Sequence, residues 1–129
     1  MSVRLLSKLT PLAATDSSDA TVTSARLMLA GIALRQDRQA DALKLYRQIV
    51  ADGKAPQALR DLASVREVAT DFDAMKPEDV VNRMKPFAAP GNPWFGPAGE
   101  LLGMAYLKQN KQDQAGPIFA AIAKDEDVE

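Results

Sequence analysis

Residues 102–112, LGMAYLKQNKQ, determine the fold, because they repeat residues 29–39, LAGIALRQDRQ, 73 positions earlier in the chain. In both stretches apolar residues recur at the three- and four-residue spacing of a helix, and polar residues that favour a turn follow. The same distance pairs further positions: Ala42 with Ala115, Tyr46 with Phe119, Ile49 with Ile122 and Asp52 with Asp125. The pattern predicts two helical hairpins of related sequence.

A second repeat links residues 8–14, KLTPLAA, with residues 83–89, RMKPFAA, at a distance of 75 positions. The two-residue difference between the two distances falls in a loop. A period of this length is close to twice the ~34-residue unit of helical-hairpin repeats. The repeats therefore predict a chain built from several hairpins of one kind.

Helical periodicity, proline positions and turn residues predict seven helices and no strand. The helix that contains residues 27–34 is apolar nearly all round in that stretch, which is typical of an inner helix packed on both sides. We expect Pro86 in the last turn of its helix, Asn92 as the N-cap of the next, and a distorted first turn at Pro117. The predicted helices are Val3–Leu9, Ala20–Gln36, Gln39–Ala51, Pro56–Phe72, Pro77–Phe87, Pro93–Gln109 and Gln112–Lys124.

The short connections between these helices predict antiparallel hairpins stacked in order, which is an all-α solenoid of about six to seven helices. A length of 129 residues suits one domain, 1–129. Within it we expect a partial leading repeat and loop, then three hairpins, then an acidic end. These parts cover residues 1–18, 19–52, 55–89, 92–124 and 125–129.

The composition excludes several classes of function. The chain has no cysteine and no histidine, so it lacks thiol nucleophiles, disulfides, the usual zinc ligands and the commonest general base. Sixteen basic and seventeen acidic residues give a net charge of -1, which argues against a nucleic-acid partner. No apolar run approaches the roughly 20 residues of a membrane span, and no export signal is recognisable.

The repeated residues follow the pattern L-G-x2-Y, then A-x3-F, of tetratricopeptide repeats, which the chain resembles. Residues 102–106 followed by 115–119 fit the pattern well, and residues 29–33 followed by 42–46 fit it loosely. Both copies lack the tryptophan that precedes the pattern. We expect the glycine or alanine to let two helices approach closely and the aromatic ring to fill the gap to the next repeat. The expected packing residues are Ala30, Ala42, Tyr46, Gly103, Tyr106, Ala115, Phe119 and Trp94.

A closer resemblance covers about Ala25 to Glu129. Residues 55–63, APQALRDLA, and residues 87–94, FAAPGNPW, resemble the tetratricopeptide-like domain of the ancillary Sec translocon subunit (YfgM-type) family. This resemblance implies an N-terminal anchor in the inner membrane, a periplasmic repeat domain, and contacts with the translocon and periplasmic chaperones. The chain would then be a fragment without its anchor, and a cytoplasmic location is the alternative. The family implies no catalytic residue.

In a stacked solenoid the inner helices line a concave surface, which we expect to bind a helix or an extended segment of another protein. Leu27 and Gly31 stand where repeats that clamp a terminal carboxylate carry lysine and asparagine, so such a clamp is not expected. The predicted groove residues are Leu27, Gly31, Leu34, Arg35, Arg60, Ser64, Glu67, Glu100, Met104, Leu107 and Lys108.

Two other features are candidates for a site. The carboxylates Asp71, Asp73, Glu78 and Asp79 would suit acid–base chemistry or a hard cation, but no histidine accompanies them and their spacing is not that of a calcium loop. We interpret them as helix caps and a solvated loop. We interpret Trp94 as a packing residue, with a partner contact as the alternative. No catalytic residue, metal or cofactor is expected.

Three functions remain open. The first is a non-enzymatic interaction module, which would be the periplasmic domain of a membrane-anchored accessory of the Sec translocon and chaperone network. The second is a soluble scaffold for cell-envelope or cell-division assembly that self-associates, for example as a homodimer. The third is an enzyme subunit or a small-molecule binder, although the sequence contains no nucleotide-binding motif. We expect protein partners, and no insertion of this chain into a membrane.

Overall fold

A computed structural model describes residues 20–125, which form α-helices and short 3₁₀ turns and contain no strand. The predicted all-α class is confirmed for this part of the chain. The predicted helix Val3–Leu9 and residues 126–129 lie outside it. The six helices are α1 (Ala20–Arg35), α2 (Gln39–Ala51), α3 (Gln57–Asp71), α4 (Pro77–Met84), α5 (Phe95–Lys108) and α6 (Gln112–Lys124), and the 3₁₀ turns are Phe72–Ala74 and Lys85–Phe87.

Helix boundaries differ from prediction mainly at prolines. Pro86 lies in the 3₁₀ turn that follows α4, and α6 continues through Pro117 without a break. The residue before Pro117 is Gly116, which has no Cβ to collide with the proline ring. The helix α5 begins at Phe95, later than predicted, because the side chain of Asn92 accepts the backbone N–H of Trp94 at 2.8 Å and holds a turn there.

The chain groups into two compact units, one up to Thr70 and one from Asp71. Unit 1 contains the hairpin of α1 and α2, and unit 2 contains the hairpin of α5 and α6. The second helices of the two hairpins have the same length, 13 residues, and begin 73 positions apart.

The two hairpins also turn in the same way. Asp37 and Asn110 occupy equivalent positions with φ of 59° and 60°, in the left-handed region that Asp and Asn adopt more readily than most residues. In both hairpins the next residue donates its backbone N–H at 2.8 Å to the carbonyl five positions earlier. This is the Schellman arrangement, with Asp or Asn in the place that glycine usually takes.

The core of unit 1 forms where the apolar faces of α1, α2 and α3 meet. The small residues Ala30 and Ala42 are fully buried beside the ring of Tyr46, which is 1% exposed. At one edge of the hairpin, Arg26 Nη1 lies 3.6 Å from Asp52 Oδ2, and both side chains are mostly buried. The buried cluster consists of Leu27, Ala30, Ala33, Ala42, Tyr46, Ile49 and Ala63, with Leu45, Val50, Leu59 and Leu62 packed against it.

Polar side chains also join α2 to α3. Three hydrogen bonds do so: Gln39 Nε2 donates to the carbonyl of Thr70 at 3.0 Å, Arg47 Nε to Glu67 Oε2 at 3.2 Å, and Arg60 Nη2 to the carbonyl of Val50 at 3.3 Å. Partner positions rise along α2 as they fall along α3, so the two helices run antiparallel. In addition, Arg66 hydrogen-bonds to the hydroxyl of Tyr46.

In unit 2, α5 is the central helix, since both α4 and α6 pack against it. The closest approach lies at Gly103, where a Cβ would stand 2.5 Å from Cζ of Phe119. One turn earlier, a Cβ on Gly99 would stand 3.0 Å from Cδ1 of Ile122. The ring of Phe119 therefore lies over α5 within its own hairpin, whereas the sequence predicted that it would fill the gap to the next repeat.

The eight predicted packing residues differ in how far they are buried. Phe119 and Trp94 are half-buried, whereas the other six are buried. The helix α1 was predicted to be an inner helix packed on both sides, yet Met28 is 44% exposed and Leu34 is 39% exposed. The six buried packing residues are Ala30, Ala42, Tyr46, Gly103, Tyr106 and Ala115.

We expect Gly103→Leu to lower the free energy of unfolding by about 1–3 kcal/mol, because the new side chain would overlap the ring of Phe119. Gly31→Leu is the matched control, since no atom lies within 4 Å of a Cβ built there. Chemical denaturation followed by far-UV circular dichroism measures both. Equal stability of the two variants would contradict the close contact at Gly103.

Burial raises the pKa of the Tyr46 phenol above its ordinary value of 10.0, although the positive charge and the hydrogen bond of Arg66 act in the opposite direction. Below pH 10.0 the folded and unfolded chains both keep this phenol neutral. Above it the unfolded chain ionises first, so the free energy of unfolding should fall as pH rises. Tyr46→Phe should show a shallower fall in alkaline denaturation curves, and parallel curves would overturn this account.

Candidate binding surface

One face of α5 carries exposed apolar and charged side chains side by side. Glu100, Met104, Leu107 and Lys108 recur at the spacing of a single helix face, and all four are exposed. Met104 is 37% exposed and Leu107 is 48% exposed, although the neighbouring Leu101 and Leu102 are buried. We call these four residues the α5 strip. The strip presents an apolar centre with an acid at one end and a base at the other.

The basic end of the α5 strip is held in place by the 3₁₀ turn that follows α3. The Nζ atom of Lys108 lies 4.5 Å from the centroid of the Phe72 ring, within the range of a cation–π contact. It also lies 3.9 Å from Oδ1 of the fully exposed Asp73. The sequence offered no signal for this contact, since the two residues are far apart in the chain.

The corresponding residues of α1 are only partly exposed. Leu34 and Arg35, which are equivalent to Leu107 and Lys108, are exposed, and Gly31 is half-buried. Leu27, by contrast, is 9% exposed and belongs to the core of unit 1. The prediction that Leu27 lines an open groove is therefore corrected. Its side chain fills the space between helices.

The three predicted groove residues of α3 serve helix packing instead. Ser64 and Glu67 are 8% and 7% exposed, so neither presents an open surface. Glu67 is ion-paired with Arg47 of α2. The guanidinium of Arg60 binds the carbonyl of Val50 near the end of α2. Glu67 and Arg60 contact α2 because α3 packs along it, which the sequence of α3 alone did not reveal.

The acidic candidates do not converge on one site. Asp73, Glu78 and Asp79 are exposed, and Asp71 is half-buried. Within residues 20–125, no group of three or more His, Cys, Asp or Glu side chains could hold a metal ion. Glu78 and Asp79 lie in the first turn of α4, where negative charge stabilises a helix. This position agrees with their interpretation as helix-end residues.

Comparisons with protein-family models, with curated proteins and with solved structures found no match for this chain. Among the helices of the described residues, none is both long enough and apolar enough to cross a membrane.

Substitution of the two predicted groove glutamates should change the free energy of unfolding by different amounts. Glu67→Ala should lower the free energy of unfolding by about 1.5–3 kcal/mol, because it removes a charged hydrogen bond from a buried position and leaves Arg47 without this partner. Glu100→Ala should change it by less than about 0.5 kcal/mol, since its side chain is exposed. Urea denaturation of the two variants makes the comparison. A destabilising Glu100→Ala or a neutral Glu67→Ala would reverse these assignments.

Proposed function

We propose that this chain is a non-enzymatic protein–protein interaction module, and that the α5 strip binds an apolar segment of another protein. The observation that carries the proposal is the exposure of Met104 and Leu107 on one helix face. Adjacent large apolar side chains that stay in water are typical of surfaces that bind partners. The absence of histidine and cysteine from the sequence supports a role without catalysis.

The chemistry of the α5 strip favours a helix or an extended peptide as the partner segment. Met104 is unbranched and flexible, so it can adapt to different apolar side chains. Glu100 and Lys108 lie at opposite ends of the strip. A bound segment with a basic residue near Glu100 and an acidic residue near Lys108 would be favoured, and the reverse orientation would be disfavoured.

We further propose that the hairpins belong to a tetratricopeptide-like solenoid and that the chain works in the periplasm beside the Sec translocon. The matching turns of the two hairpins support the repeat. The resemblance of residues 55–63 and 87–94 to the ancillary translocon subunit supports the periplasmic location. The same resemblance implies an anchor in the inner membrane and contacts with periplasmic chaperones.

The test uses the native gene product in cells. A photoreactive amino acid is introduced at Met104, and a matched one at Gln114, which is exposed on α6 outside the strip. Cells are fractionated, and protease is added from the periplasmic side. We expect a membrane-bound, protease-accessible protein whose crosslinks from position 104 include translocon subunits or periplasmic chaperones, and fewer such crosslinks from position 114.

The outcomes separate the parts of the proposal. A cytoplasmic protein would overturn the translocon assignment and would leave the soluble scaffold function. Crosslinks to a second copy of the chain would favour the self-associating scaffold. Equal crosslinking from positions 104 and 114 would overturn the α5 strip as the binding surface, whatever the location of the protein.

A further inference from the structure

One face of α2 is the surface on which α3 lies. Four residues of this face form hydrogen bonds with α3, through a side chain or, in one case, through the backbone carbonyl. The fifth, Leu43, is 7% exposed. All five recur at the spacing of a single side of a helix. They are Gln39, Leu43, Tyr46, Arg47 and Val50.

The repeat places an equivalent face on α6. Gly116 and Phe119 stand where α2 has Leu43 and Tyr46, yet Gly116 is exposed and Phe119 is half-buried. No atom outside its own helix lies within 4 Å of a Cβ built on Gly116. A face that holds a helix in unit 1 is therefore exposed in unit 2. Its residues, which we call the α6 face, are Gln112, Gly116, Phe119, Ala120 and Ala123.

The α6 face carries no charged residue, and this restricts what it can bind. Ala120 stands where α2 has Arg47, which pairs with Glu67 of α3. A helix that brought a glutamate to Ala120 would bury a carboxylate without a partner, which is unfavourable. The α6 face therefore fits a helix whose contact side is itself uncharged and apolar. The helix α6 has such a side.

Charges at the two ends of α6 favour an antiparallel pair of α6 helices. Asp113 lies in the first turn and Lys124 in the last, and both are exposed. Since the two residues are about three helical turns apart, they flank the α6 face on the same side. In an antiparallel pair, Asp113 of each copy would lie near Lys124 of the other copy. A parallel pair would bring like charges together, which is disfavoured.

We propose that the chain forms a homodimer in which the α6 faces of two copies pack antiparallel, as α3 packs on α2. In unit 1 the side-chain amide of Gln39 donates to the carbonyl of Thr70 near the end of α3. Gln112, the equivalent residue, would donate to a carbonyl at the end of the second copy's α6, because the last carbonyls of a helix lack intrahelical partners. Its amide has two hydrogens, so the bond to Asn110 Oδ1 would persist.

This inference goes beyond the proposed function, because it uses the other helix of the hairpin. The α5 strip and the α6 face share no residue. The dimer would therefore carry two copies of the α5 strip, and a partner that binds two neighbouring segments would gain affinity from both.

Sedimentation velocity of the full chain tests the dimer at protein concentrations up to about 1 mM. We expect the mass to rise with concentration from that of one chain to that of two. Ala120→Glu should raise the dimer dissociation constant about tenfold, because it places a carboxylate of each copy in the apolar contact. Gln114→Glu is the matched control, since it adds the same charge at an exposed position of α6 outside the face. Far-UV circular dichroism checks that both variants stay helical.

A charge exchange tests the antiparallel arrangement. Asp113→Lys and Lys124→Glu should each raise the dissociation constant about tenfold, because each variant opposes like charges twice in the dimer. An equimolar mixture of the two variants should associate about as tightly as the original chain, since opposite charges face each other again.

A chain that stays monomeric throughout the concentration range would overturn the dimer and would leave the proposed function of the α5 strip untouched. A dimer that is weakened by Met104→Glu and not by Ala120→Glu would assign self-association to the α5 strip instead. If both charge variants associate as tightly as the original chain, the antiparallel arrangement is wrong.

Discussion

The contact between a small residue on the first helix of a hairpin and an aromatic residue on the second is the constraint on which both units depend. In unit 2 the ring of Phe119 occupies the place that a Cβ on Gly103 would need. In unit 1 the equivalent pair is Ala30 and Tyr46, both within one buried cluster. Because a larger residue would push the helices apart, this contact fixes how closely they approach. The approach in turn decides which side chains are buried and which form an outward strip.

The hairpin boundaries could be predicted from the sequence because local chemistry encodes them. Turn residues mark the end of the first helix, and the helical spacing of apolar residues marks the beginning of the second. Because the hairpin sequence is repeated, the boundaries predicted in one copy can be compared with those in the other. The predicted bounds of α2 and α6 are those of the structure. The α5 strip was also predicted residue by residue, since its position follows from the register of one helix. The contact of Lys108 with Phe72 was not predicted, because the two residues are far apart in the chain.

The predictions that Leu27 and Glu67 line an open groove were wrong, because contacts between helices far apart in sequence determine which residues are buried. Glu67 reads as a surface residue in the sequence of α3, yet it pairs with Arg47 because α3 lies along α2. Leu27 was predicted to line a groove because of its position in the repeat, yet it is buried in the core of unit 1. The two hairpins diverge at this position, where one carries a leucine and the other carries Glu100. A repeat in sequence therefore preserves turns and close contacts more faithfully than it preserves surfaces.

The left-handed turn at Asn110 has a consequence for the chemical ageing of the molecule. Asparagine side chains in exposed turns slowly lose their amide group. Attack by the next backbone nitrogen gives mainly isoaspartate, but at Asn110 that nitrogen, of Lys111, donates to the carbonyl of Tyr106. Direct hydrolysis of the side-chain amide gives aspartate. At the equivalent turn the chain already carries Asp37 with the same backbone angle. The Oδ1 atom that accepts the hydrogen bond of Gln112 would also persist as a carboxylate oxygen. Direct hydrolysis at this site would thus make one hairpin more like the other, and its only change would be one added negative charge.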